Sequence, residues 1–491
     1  MLIFSRSLLL ATALSLPLLG ACKDKTQSLP KNEVSLQVET SAKTPPQTST
    51  HPEIKKLADL AFANHYAYDI TRDLTTKLGP RQAGSRSEAQ ARRWALKTMR
   101  EIGLVKVHNE PFKINGWARG RASAQVIAPY PQPLRLTALG GSVATPRGGI
   151  TAPVVYFRDY EALLAAPMGS LDGKIAYISG RMKKDIDGKG YGPANRKRRN
   201  GASEAARRGA VATLIRSVGT DSHRMPHTGQ MRYADGIKKI PIAALSNPDA
   251  DQLDRIFELT EQNGKEVRIK MVLSTRDLGE RPSGNVIGEI RGATKPDEII
   301  LIGAHLDSWD EGTGAIDDGA GVGIVLGAAK ALIDSGLKPK RTIRVVLFGS
   351  EEIGLKGGFA YAKAHRDELD KHVLASESDF GAGRVYGLQP GKYEAVKDFV
   401  RAQAPQFAFL GIKAKDGETT GGPDINPLND AGVPTIRLNQ DGTDYFDLHH
   451  TPDDTFDKID PEAMQQNVAA WATLIWLASQ ADTDFRDNQG E

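Results

Sequence analysis

Through the C-terminal half of the chain, short apolar runs recur, each closed by a histidine, a carboxylate or a glycine turn. Ile299-Ile300-Leu301-Ile302 shows no polar alternation, so it predicts a strand buried on both faces, ending in His305 and Asp307. A Gly-rich turn carrying Asp317 and Asp318 follows, and small and apolar positions over 321–333 predict a helix. A second buried strand, 342–348, runs into Glu351-Glu352, and a third apolar stretch ends in Glu377 and Asp379. A late segment closes with His449-His450-Thr451-Pro452-Asp453-Asp454. Helical spacing marks 359–365, 394–403 and 461–477. Strands alternating with helices predict an α/β fold, with a mostly parallel, mixed sheet and helices on both faces. In such sheets functional groups gather at the carboxyl ends of the strands.

The N-terminal half reads differently. Ile54, Leu57, Leu60 and Ala61 lie at helical spacing, Gly79-Pro80-Arg81 breaks the pattern, and 87–102 restores a helix with Ala91, Trp94, Ala95 and Met99 inward. Over 115–278 short strands such as 151–157 and 174–179 alternate with Gly and Pro turns, and a helix over 202–208 passes through Gly209 into a strand over 210–215. This predicts a smaller mixed α/β lobe inserted into the main domain, which resumes at Ser283. The expected division is a catalytic domain of 53–114 and 279–482, an insert of 115–278 and a flexible tail of 483–491. Arg196-Lys197-Arg198-Arg199 is expected to be a solvated loop, and His223 and His227 surface residues.

Composition narrows the partners. A net charge of +4 over 491 residues, with one dense basic run, gives no stripe for nucleic acid. Residues 1–21 carry one arginine and an apolar core, and end in Leu19-Gly20-Ala21 before Cys22, the only cysteine. That pattern predicts a bacterial lipoprotein signal, with Cys22 as the lipidated membrane anchor and 22–52 as a polar, disordered tether. Lys23 points to the outer membrane, so the expected location is the cell envelope, on the periplasmic face of that membrane. A lone cysteine excludes intrachain disulfides and Cys-ligated zinc.

Histidine and carboxylate donors without cysteine suit a zinc site that keeps a position open for chemistry. Asp307 lies two residues from His305 on the same strand face, placed to orient the imidazole. Glu351 and Glu352 are adjacent and cannot face one metal equally, which divides them into one ligand and one general base. The motifs HLDS, GAIDDGAG, the paired glutamates, ESDFG and HHTPDDT, in that order, resemble the co-catalytic dizinc peptidases of the MH clan. That clan includes bacterial secreted aminopeptidases, carboxypeptidase Q and the glutamate carboxypeptidases; the chain is most similar in character to carboxypeptidase Q over about 69–478. The resemblance implies two Zn2+ ions per chain, one held by His305, Asp317 and Asp379, the other by Asp317, Glu352 and His450, with Asp317 as the bridge. It implies Glu351 as the base, a cis link between Asp317 and Asp318, and a protease-associated character for the insert. It leaves His449 structural or solvent-facing, Asp424 either behind the ligands or in the pocket, and Tyr445 either an oxyanion donor or a packing residue.

The function this implies is a metallo-exopeptidase acting at the free N-terminus of short peptides or dipeptides. A carboxypeptidase of the same family, or an acyl transferase like glutaminyl cyclase, is the alternative. A metal-free binding descendant conflicts with the intact ligand positions. Arg384 is the cation near the motifs that would serve a carboxypeptidase, and homodimerisation is left open. Cys22→Ser should release soluble, active protein, because stable anchoring rests on the acyl chains; recovery of that variant in washed membranes would contradict the anchor.

Overall fold

The computed structural model describes residues 51–487. The signal segment, Cys22 and nearly all of the tether lie outside the described residues, as do 488–491. The central sheet is built from β1 (Val105–Ala118), β2 (Arg276–Ile290), β3 (Lys295–His305), β4 (Arg341–Phe348) and β5 (His372–Glu377), in the spatial order β1-β2-β4-β3-β5. β3 pairs parallel with β4 and β5, whereas β1–β2 and β2–β4 are antiparallel. The sheet is mixed, less parallel than the alternation of elements suggests. The chain leaves for the inserted region along β1 and returns beside it along β2, a pairing that needs no crossover helix.

Side chains alternate across β3 and β4, and both faces are covered. Ile300, Ile302, Ile343, Val345 and Leu347 belong to a cluster with Val325 and Leu326 of the helix Ala320–Ser335 and Trp471 and Leu474 of the helix Pro461–Gln480. Leu301, Val346 and Phe348 pack instead with Tyr361 and Leu428, from the helices Lys356–Ala364 and Asn426–Asp430. Burial on both sides is why these strands read as unbroken apolar runs. Each such side chain contributes about 1.5–3 kcal/mol, so the strand ends rest on a rigid base.

Residues 122–273 form a separate eight-stranded sheet with its own apolar cluster. The change of sheet falls between Ala118 and Ala122 and between Leu273 and Arg276, so the ribbon extends beyond 115 and begins before 278. The helix expected over 202–208 runs Tyr191–Arg207, one of several in this region with Tyr160–Ala165 and Asn247–Asn263, and takes in the basic run expected to be a loop; Lys197 and Arg198 are buried. Lys197 donates to Gly180 O, and burial pulls its pKa down to about 7. Long cationic stems cover apolar surface while their tips find carbonyls, which conceals such a helix from a pattern of charge.

The tail also departs from expectation. Phe485 is fully buried, edge-on to Phe399 at 5.2 Å, and Arg486 donates to Leu369 O and His372 O at 2.6 and 2.8 Å. Among the described residues no helix is long and apolar enough to cross a membrane.

Candidate metal centre

The register of the parallel strands sets His305 opposite Phe348, and Gly303 opposite Glu377, so the turns after β3, β4 and β5 reach one edge of the sheet together. The loop after β3 is held by two buried polar side chains. Arg81 donates from Nε to Leu306 O (2.8 Å), from Nη1 to Thr313 O (2.6 Å) and from Nη2 to Gly314 O (2.8 Å). Asp454 accepts from Ala315 N (2.7 Å), Ile316 N (2.6 Å) and Asp317 N (3.3 Å). The Asp317–Asp318 peptide is cis. Asp318 turns back to accept from His305 N (3.0 Å) and Gly321 N (3.1 Å), which leaves Asp317 for the cavity.

The two oxygens of Asp317 face different histidines. Oδ1 lies 3.0 Å from His305 Nε2, and Oδ2 lies 3.2 Å from His450 Nε2. His305 Nε2 is also 3.8 Å from Asp379 Oδ1, and His450 Nε2 is 2.9 Å from Glu352 Oε2. Segments distant in sequence thus meet around one carboxylate. Two further side chains share the cluster. Potential ligand atoms of Asp318 lie with those of His305 and Asp379, and those of His449 lie with Asp317 and His450, within 4.8 Å in each group. Of the two expectations for His449, the solvent-facing one needs correction. It is buried, lines the cavity, and stacks on His450 with ring centroids 3.5 Å apart. An extended backbone would send neighbouring rings to opposite sides, but His450 has φ 64°, and this left-handed turn brings both rings to one side.

Asp307 does more than the expectation assigned to it. His305 Nδ1 lies 3.0 Å from the Asp307 backbone O and 3.7 Å from its carboxylate. The carboxylate accepts from Glu351 N (3.0 Å) and Glu352 N (3.4 Å). The main chain and, farther off, the carboxylate of Asp307 both face the imidazole, and that carboxylate also locks the paired-glutamate turn to the end of β3. Within that turn Glu352 points to His450, while Glu351 lines the cavity without a side-chain hydrogen bond among the described residues.

Electrostatics single out Asp317. Burial raises it, yet the hydrogen bonds from His305 and His450 hold it well below the usual carboxylate range. Burial, reinforced by neighbouring acids, pushes Glu351 and Glu352 well up and Asp379 to about 6. Glu352 Oε1 is buried without a hydrogen-bond partner, and buried Asp317 Oδ2 has only the imidazoles, His450 Nε2 nearest at 3.2 Å. Unpaired buried acid is costly, and this concentration of oxygen and imidazole donors fits divalent cations, zinc in particular.

Above the cluster lies a cavity of about 380 Å³. One wall carries Phe380, Tyr445 and Phe446; the inserted region supplies Tyr191, Arg198, Arg199, Gln230 and Arg232, and Arg437 completes the rim. Arg198 and Arg199 come from the run read as a solvated loop, and its charge density was the only signal that could have found them. Arg384 points away, 3.3 Å from Glu462. Asp424 accepts from Gly358 N (2.9 Å) and donates its own N–H to Glu377 (2.8 Å), so it braces the loop while Gly422 and Pro423 line the cavity.

Comparison with known proteins agrees with this geometry. The model of Peptidase family M28 matches residues 285–475. Carboxypeptidase Q of Homo sapiens is 34% identical over 428 residues, covering 87% of this chain and 88% of the human protein. Aminopeptidase YwaD of Bacillus subtilis is 27% identical over 434 residues, covering 83% of each. The crystal structure of a peptidase M28 precursor from Shewanella amazonensis SB2B is 48% identical, with a TM-score of 0.86 over 89% of this chain and 98% of that one. BSAP, a zinc aminopeptidase from Bacillus subtilis, shares the fold at 21% identity, with a TM-score of 0.61 over 86% of this chain and 97% of its own. With motif order, sheet edge and relatives in agreement, the chain belongs to peptidase family M28 and is a metallo-exopeptidase.

Proposed function

We propose that the chain hydrolyses dipeptides and other short peptides at a centre of two zinc ions, with Asp317 shared between them. The observation that carries this reading is the division of Asp317, one oxygen toward His305 and the other toward His450. His305, Asp317 and Asp379 would hold one ion, and Asp317, Glu352 and His450 the other. When bound, the ions supply Lewis acidity that polarises a carbonyl and acidifies water. Glu351, in the cavity with a raised proton affinity, accepts the proton of the attacking water on its carboxylate and delivers it to the leaving amine. Tyr445 keeps its proton, because burial and then the charges of Asp317 and Asp379 push its pKa well up. Its hydroxyl is a donor for negative charge developing on the carbonyl oxygen. The sequence supports an envelope location through Cys22, with the folded body held outside the membrane.

The acid floor of the cavity attracts a free amino group, which favours attack at the N-terminal residue. The arginines support a second element of recognition. Arg199, Arg232 and Arg437 line the cavity and have no carboxylate partner among the described residues, so the far end of a short substrate meets positive charge. A free dipeptide satisfies both ends. On the alternative carboxypeptidase reading, these arginines rather than Arg384 would hold the substrate carboxylate.

Substitutions at the paired glutamates separate ligand from base. Glu351→Gln should retain both metals and lose about 10²-fold or more in turnover, whereas Glu352→Gln should lose affinity for one ion. Metal analysis beside steady-state kinetics reads both, and the reverse pattern would exchange the roles. On a good substrate, N-acetylation should lower kcat/KM more than C-amidation does. The opposite ranking would make the enzyme a carboxypeptidase.

A further inference from the structure

The His449–His450 loop is gripped from the inserted region by consecutive residues. His227 Nδ1 lies 2.7 Å from His449 O, and Thr228 N donates to His450 O at 3.0 Å. Thr228 O in turn lies 3.3 Å from His450 Nδ1. A carbonyl only accepts, so His227 donates from Nδ1; His450 Nδ1, which also lies 3.4 Å from Arg198 Nη1, is the atom that would donate to Thr228 O when Nε2 holds an ion. His227 is fully buried and fixed on its far side. Its Nε2 lies 2.7 Å from Asp221 Oδ1, which also accepts from Asn247 Nδ2 at 2.7 Å, and its backbone N–H donates to Ser217 Oγ at 2.8 Å. Ser217 follows directly on the strand Ala212–Arg216 of the second sheet, so the grip is anchored in that sheet.

The grip falls where the backbone needs it. His450 occupies the left-handed region at φ 64°, which costs a non-glycine residue about 1–3 kcal/mol and persists only where the surroundings impose it. Donors on the carbonyls of both 449 and 450 impose it here. The same conformation brings His450 Nε2 within 2.9 Å of Glu352 and 3.2 Å of Asp317.

We propose that the inserted region completes the metal centre, with Asp221 and His227 as positioning residues that hold His450 in the conformation able to bind its ion. This rests on the reading of His450 as a ligand. It gives the insert a task in metal retention, beyond lining the cavity.

The test titrates the metal-free full chain with Zn2+ by calorimetry and with Co2+ by visible absorption, comparing wild type with His227→Leu and His227→Gln. The leucine variant should bind one ion as wild type does and the other about 10–100-fold more weakly, with an altered Co2+ spectrum for that site. Glutamine, which restores a donor for His449 O, should recover much of the loss. A purely structural role would lower the urea stability of the metal-free protein without separating the two affinities. Should the leucine variant fail to fold, Asp221→Asn carries the comparison, with selective weakening of the same ion expected. A folded variant that binds both ions as wild type does overturns the proposal. A wild-type chain that takes up no second ion overturns the ligand reading and this inference with it, whereas equal two-ion uptake by wild type and variant overturns this inference alone.

Discussion

The structure depends on keeping one carboxylate charged in a place where burial opposes charge. Asp317 is almost fully enclosed, yet its oxygens are shared between His305 and His450, and it stays well below the usual carboxylate range while burial pushes neighbouring acids up. An arrangement this expensive holds only if its supports cannot relax. Arg81 clamps the loop after β3 through its carbonyls, Asp454 collects the N–H groups around Asp317, and Asp307 ties the glutamate turn to the same strand end. None of these three side chains lines the cavity. They convert a sheet edge into a fixed constellation.

The inserted region is part of that constellation. It leaves and rejoins the central sheet through the β1–β2 ribbon; its helix Tyr191–Arg207 brings Arg198 to the cavity, and the segment after the strand Ala212–Arg216 brings Gln230 and Arg232 there and His227 and Thr228 to the histidine loop. The wall facing the acidic floor is therefore cationic. The cavity thus lies between opposite charges, which is the basis of the proposal that short chains with free termini are the substrates.

Much of this was legible in the sequence because the determining features are local. A strand buried on both faces has to be a continuous apolar run, so β3 and β4 announce themselves, and the His and acid residues at their ends follow by position. The cis Asp317–Asp318 link followed from family resemblance, since backbone isomers leave no mark on composition. What was misread depended on distant partners. Lys197, Arg198 and His227 are polar in any pattern, and distant partners such as Gly180, Tyr191, Asp221 and the His449 carbonyl make their burial tolerable. His449 was placed outside the site because its side depends on the left-handed turn at His450, and the docked tail depends on Phe399 and Arg341 meeting Phe485.

The central claim is that Asp317 is shared by two metal ions. Crystals grown with zinc and measured on both sides of the zinc absorption edge test it directly. Two anomalous peaks about 3.5–4 Å apart are expected, one beside each Asp317 oxygen, with His305 and Asp379 around the first and Glu352 and His450 around the second. A single peak, or a pair that leaves Asp317 bound to neither ion, would contradict it.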